Sequence, residues 1–221
     1  MKGLNLLIAI LIVSVSSYSY AGPNKGKFSR GKGNRNVQVQ ELTVEEQENL
    51  LFMREEEKLA RDVYLTLGEY FETNVFNNIA SAEQKHMDSV KGLLDKYMLT
   101  DPVSDDTRGA FINQEFAEFY YSKTGDEITI KEAILTGILI EETDILDLQK
   151  AIELTDKPDI QNVYENLLRG SRNHLRAFVR KLESMGIVYD ALKLDQSVAN
   201  AIVDSPTERG SSKRKGNKGR R

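Results

Sequence analysis

Four long stretches of this chain place apolar side chains every three or four residues, and no stretch of useful length alternates with the period of a strand. An amphipathic helix must bury its apolar stripe against another element, so four such helices imply an all-α fold with the stripes facing one another. The first is expected from about Val44 to Phe71, opened by Thr43 and Glu46 at capping-box spacing, with Leu50, Met53, Ala60, Tyr64 and Leu67 inward. A short linker at Asn74 to Asn78 leads to the second, from about Phe76 to Tyr97, with Ile79, Val90 and Leu94 inward. The third spans about Thr129 to Leu154 and the fourth about Asp159 to Met185, with Gly186 as its stop. Between the second and third lie residues 98–126, a long crossover with turn signals at Asp101-Pro102 and Asp105 to Gly109 and one short helix between Phe111 and Ser122. Another short helix is expected over Gln196 to Val203.

The apolar stripes are interrupted by side chains that ligate metals. Glu57 falls on the first stripe, Glu83 and His86 on the second, Glu141 with Asp144 beside it on the third, and His174 on the fourth. Glu83-x-x-His86 puts a carboxylate and an imidazole one turn apart on one helix face, within reach of a single ion. The chain has only two histidines, and both lie on such stripes. A buried unpaired carboxylate costs several kcal/mol or takes up a proton, and a divalent cation removes that penalty. The bland alternative is a polar core in which Glu83 and His86 bond each other and their neighbours without metal. Cysteine is absent, which excludes disulfides and thiolate sites and leaves nitrogen and oxygen ligands, suited to iron, manganese or zinc. Most of the run Glu55-Glu56-Glu57 is expected in solvent, Glu57 excepted, and Glu142 is expected to turn away from the interior. Tyr64 reads as core, with a bond to a ligand carboxylate as the other reading. Arg172 and Arg176 read as partners of surface acids, and Gly170-Ser171 as a small-residue patch that admits a neighbour or leaves room for something.

These positions resemble the ferritin-like superfamily, and rubrerythrin-type domains in particular. Glu57, Ala60 and Tyr64 match a glutamate followed by alanine three on and tyrosine seven on; Glu83 and His86 match the glutamate and histidine of the second helix. Glu141 and Asp144 match two acids three apart on the third. On the fourth, Ser171-Arg172-Asn173-His174 keeps the histidine of a repeated Glu-x-x-His and replaces its glutamate by serine. The wording from Arg54 to Tyr64 and from Gly170 to Phe178 also resembles a bacterial ferritin-like subfamily of unassigned function. The resemblance covers about residues 41–190 and implies a ferritin-like four-helix bundle with a long crossover between helices 2 and 3. It further implies a di-iron-type carboxylate centre, from which Ser171 removes one carboxylate. Asp144 could replace it in an asymmetric pair, or one ion could be held by Glu57, Glu83, His86, Glu141 and His174 in part.

The chain ends carry separate expectations. Met1 to Ala21 has the basic start, short apolar run and small residues at the cleavage point of a secretory signal peptide, and the run is shorter than the ~20 residues that span a bilayer. The mature chain is therefore expected in a periplasm or secreted, without a transmembrane anchor. Residues 22–36 hold five basic side chains and no acid, and residues 207–221 hold seven with Glu208 alone opposing them, so the acids concentrate in between. The stretches 22–40 and 191–221 (after its short helix) read as basic and disordered. They serve solubility, or they contact polyanions. Three functions follow: a redox metalloprotein with O2 or peroxide as its small oxidant, a non-catalytic metal-sequestering or stress protein, and a helical interaction module that grips anionic surfaces through its tails. A rubredoxin-like electron donor would need cysteines, and a homodimer is compatible with each function.

Overall fold

The computed structural model describes residues 41–210. The expected leader, the basic stretch up to residue 40 and the tail from 211 lie outside the described residues. Those described form six helices and no strand: α1 (Val44–Phe71), α2 (Asn74–Tyr97), α3 (Gln114–Lys123), α4 (Ile130–Glu153), α5 (Pro158–Ser184) and α6 (Gln196–Val203). None is long and apolar enough to cross a membrane.

Local chemistry sets the boundaries. Thr43 and Glu46 close a reciprocal capping box at the start of α1, and Thr129 and Glu132 do the same for α4. Glu46 also receives Lys157 Nζ at 2.7 Å and the Thr155 hydroxyl at 2.6 Å, which ties the start of α1 to the turn between α4 and α5. The expected linker at Asn74 to Asn78 is helical, and only Glu72 and Thr73 separate α1 from α2. The helix resumes at Asn74 because its first turn docks on α1, with Phe76 fully buried. Gly68 permits that approach, since a β-carbon there would collide with the Asn77 side chain. Two helical hairpins result, α1–α2 and α4–α5, and they meet along α2–α5 and α1–α4. The core between them is built from Met53, Val63, Leu94, Ile138, Leu148 and Phe178, among others.

The acidic run of α1 is not in solvent. Every residue from Met53 to Tyr64 is buried, because the crossover folds back over the side of α1 that faces away from the hairpin core. Glu55 accepts the backbone N–H of Ile112 at 2.6 Å. Lys58 donates to Asp62 and to the Thr107 carbonyl and lies 4.5 Å from the Phe111 ring centroid. Asp62 accepts from Gly109 N–H, Arg61 holds Asp106, and Arg54 holds Asp101. Polar backbone in the connection thus finds partners on α1 instead of water. Glu56 points toward Asp147 and Asp144 of α4, and only Glu57 turns into the space among the four long helices.

Glu142 does turn away from that space, yet it is fully buried. It accepts three successive backbone N–H groups, of Leu192, Lys193 and Leu194, and the Tyr189 hydroxyl at 2.7 Å. This pins the segment after α5 across α4. Beyond it, α6 packs on α5, where buried Arg176 donates to the Ile202 carbonyl at 2.8 Å, to Ser205 and to Glu208.

Candidate metal centre

Four helices each deliver a ligand-type side chain to one interior space, because each such residue interrupts an apolar stripe. Glu57 comes from α1, Glu83 and His86 from α2, Glu141 and Asp144 from α4, and His174 from α5. Glu57, Glu83 and Glu141 are at most 2% exposed. His86 Nδ1 lies 2.6 Å from Glu83 Oε2 and 3.2 Å from Glu57 Oε2. His174 Nδ1 lies 2.7 Å from Glu83 Oε1 and 3.5 Å from Glu141 Oε2. The two rings sit 5.6 Å apart. Ligand atoms therefore gather in two triads, Glu57–Glu83–His86 and Glu83–Glu141–His174, each within 4.8 Å internally, and Glu83 belongs to both.

The contact between His174 Nδ1 and Glu83 Oε1 is short without being a hydrogen bond. Both atoms are buried and neither finds an aligned partner. Glu57 Oε1 and Asp144 Oδ1 are likewise buried and unpartnered. Buried polar atoms are normally hydrogen-bonded, so four orphans in one space point to a ligand that satisfies them together. No lysine or arginine among the described residues pairs with these carboxylates.

Burial and mutual charge decide where these groups hold protons. Burial pushes the Glu57 carboxyl up to about 8, against the pull of His86. Burial and then the charges of Glu57 and Glu141 push Asp144 well above the usual carboxylate range. Burial also raises Glu141. Glu83 alone goes the other way: burial would raise it, but His174 and His86 hold it far below its ordinary value. Both imidazoles rise despite burial because carboxylates face them, His86 through Glu83 and Glu57, and His174, through Glu83 and Glu141, to about 10.

Three neighbours complete the site. The buried Tyr64 hydroxyl donates to Glu141 Oε1 at 2.6 Å, which orients that carboxylate from α1. Its ring stacks into Phe178 and Phe76, with centroids at 5.2 and 6.2 Å, and closes one side with apolar surface. Gly170 provides room: a β-carbon there would stand 2.5 Å from His86 Nε2 and Cε1. Ser171, fully buried, bonds Asp144 Oδ2. Sequence periodicity reads Ser171 only as part of a small-residue patch, the resemblance reads it as a missing carboxylate, and neither identifies Glu56 and Asp147. Asp147 continues the three-residue spacing of Glu141 and Asp144, a signal that could have flagged it.

Residues 46–206 match a family model described as an uncharacterized protein domain, DUF2202. The uncharacterized protein MJ0754 of Methanocaldococcus jannaschii is 49% identical over 173 residues, which cover 77% of this chain and 93% of that protein. The crystal structure of the hypothetical protein MJ0754 from Methanococcus jannaschii aligns with a TM-score of 0.74 at 46% identity, over 78% of this chain and 99% of that one.

Proposed function

We propose that this chain, which belongs to the DUF2202 family, is an exported ferritin-like metal-binding protein: a four-helix bundle that holds iron or manganese among carboxylates and histidines. The reading rests most on Glu83. Its two oxygens face two histidines, at 2.6 and 2.7 Å, and the second contact lacks hydrogen-bond alignment. Two atoms that approach each other while aiming elsewhere are disposed as ligands of one ion. Glu57, Glu83 and His86 would hold one ion, and Glu83, Glu141 and His174 a second. All-oxygen and imidazole donors suit iron and manganese, and zinc as well.

Bound there, iron or manganese would supply electron transfer to a small oxidant, O2 or peroxide, the basis of an oxidase- or peroxidase-type activity. The chain itself does the rest. Tyr64 fixes Glu141, the Tyr64–Phe76–Phe178 cluster keeps water from one flank, and the two histidines, with side chains 13% and 11% exposed, are the ligand-type groups that reach toward solvent. Met1 to Ala21 would direct export.

Metal content of the mature chain, purified without a histidine tag, tests this. About two iron or manganese ions per chain are expected, with loss in His86→Ala and His174→Ala. A chain that carries none and takes up none under reducing conditions refutes the reading. A chain that loads fully yet turns over neither O2 nor peroxide with any added donor is a sequestering protein.

A further inference from the structure

We propose that Asp144 is the second shared carboxylate of the centre, reaching in from α4 to the place a carboxylate at 171 would occupy from α5, and that Ser171 positions it. This rests on the two-ion reading above.

The two triads share one residue, Glu83, on the α2 side. On the opposite side the charges that press hardest on Asp144 are Glu57 and then Glu141, one from each triad, followed by Glu83. Asp144 therefore stands within electrostatic reach of both halves of the site, behind the atoms that form the two triads. Its Oδ2 is taken by Ser171, while Oδ1 is buried and has no partner. A carboxylate with one oxygen secured and the other orphaned in a ligand-lined space is held ready for a cation.

Charge balance gives the same answer. Two divalent cations bring four positive charges into a space with no lysine or arginine partner. Glu57, Glu83 and Glu141 offer three negative charges, and the imidazoles, as ligands, offer none. Asp144 supplies the fourth. A net charge in a low-dielectric interior costs several kcal/mol, so a fourth carboxylate at the ions is favoured over three, with Glu56 and Asp147 hydrogen-bonded to each other behind it.

Ser171 explains why the aspartate stays put. It precedes His174 by three residues, as Glu83 precedes His86, so α5 presents its hydroxyl at the position equivalent to Glu83 on α2. The hydroxyl lies 3.0 Å from the Leu167 carbonyl, which fixes its rotamer one turn back. It fills little volume and leaves Asp144 room to cross from α4. Position 144 and position 171 thus serve one place between them, and a long carboxylate at 171 and a working Asp144 are alternatives.

The test is Mn(II) titration of the full, chelator-treated chain, followed by metal analysis and electron paramagnetic resonance, with far-UV circular dichroism to verify folding. The parent should bind two exchange-coupled ions. Asp144→Asn, nearly isosteric and relieved of a buried charge, should fold but bind the second ion at least tenfold more weakly, without coupling. Ser171→Ala should keep both ions with an altered coupling pattern. The double variant Asp144→Asn/Ser171→Glu should regain the second ion and the coupling. Asp144→Asn binding two coupled ions as the parent does overturns the bridge and leaves the two-ion reading standing. A folded double variant no better than Asp144→Asn overturns the shared place, and an unaltered Ser171→Ala spectrum overturns the positioning role. A parent that binds fewer than two ions sinks the two-ion reading and the bridge with it.

Discussion

Gly170→Ala should destabilise the metal-free chain, against the usual sign for that substitution in a helix. The new β-carbon would lie 2.5 Å from His86 Cε1 and Nε2. Carbon contacts settle near 3.5–4.0 Å, so the ring must retreat by about 1 Å. Its Nδ1 now sits 2.6 Å from Glu83 and is hydrogen-bonded to Glu57 at 3.2 Å, and such a shift breaks that bond. Buried hydrogen bonds to charged groups contribute about 1.5–3 kcal/mol. Alanine in place of glycine inside a helix returns about 1 kcal/mol. The net expectation is a loss of about 0.5–2 kcal/mol, read from urea unfolding of chelator-treated protein near pH 7. Gly92→Ala is the control, since nothing lies within 4 Å of its β-carbon on α2; it should gain up to about 1 kcal/mol. The Gly170 variant should also bind Mn(II) at least tenfold more weakly, because a ligand displaced by 1 Å no longer meets the ion. Equal stabilisation in both variants would falsify the close packing of His86 against α5.

The metal-free chain should lose stability as pH rises from about 5 to 10. Glu57 is raised from 4.5 to about 8 and His174 from 6.5 to about 10, so between those values the folded chain holds protons the unfolded chain has released, and stability is lost through the higher value of each. Urea midpoints across that range should fall without metal and stay flatter with Mn(II), whose affinity should climb over the same window as protons are displaced. Tyr64→Phe removes the donor to Glu141 Oε1 and leaves that oxygen orphaned, at a cost of about 1–3 kcal/mol in unfolding free energy. Lys58→Met leaves Asp62 with Arg61 and Gly109 N–H but orphans the buried Thr107 carbonyl, should cost about 1–3 kcal/mol, and should expose residues 100–113 to limited proteolysis before the rest of the chain. Arg176→Met should free Ser205 and the Ile202 carbonyl from α5 while Arg172 and Asn173 keep Glu208, seen as faster amide exchange in 202–206 and little change in metal content.

Helical period was enough to read the four long helices and to turn Glu57, Glu83, His86, Glu141, Asp144 and His174 toward one interior, since a polar residue on an apolar stripe has nowhere else to go. It was not enough for residues buried by something other than that stripe. Glu55, Lys58 and Asp62 are buried by the crossover, a contact between segments about 50 residues apart that no local pattern encodes. Glu142 is buried by three backbone amides that carry no sequence signature. Asn74 to Asn78 reads as a turn by composition, but docking of Phe76 and the gap at Gly68 make it helix. The resemblance already offers Asp144 as the replacement for the carboxylate missing at 171, but the hydrogen bond between Ser171 and Asp144 joins two helices and no local pattern encodes it.

Glu83 meets His86 within its own hairpin and His174 across the gap between hairpins. An ion seated on Glu83, Glu141 and His174 would therefore be a clasp that adds to the packing of α1–α2 on α4–α5 along α2–α5 and α1–α4. A ligand that binds only the closed form adds about 4 kcal/mol at a thousandfold excess over its dissociation constant. Proteases sample the open form, so lifetime follows that population. If the proposed centre forms, such a chain would convert metal supply into its own abundance, with degradation expected in a starved compartment and accumulation in a replete one. Pulse proteolysis at stepped Mn(II) concentrations reads this directly as a survival curve whose midpoint tracks the dissociation constant.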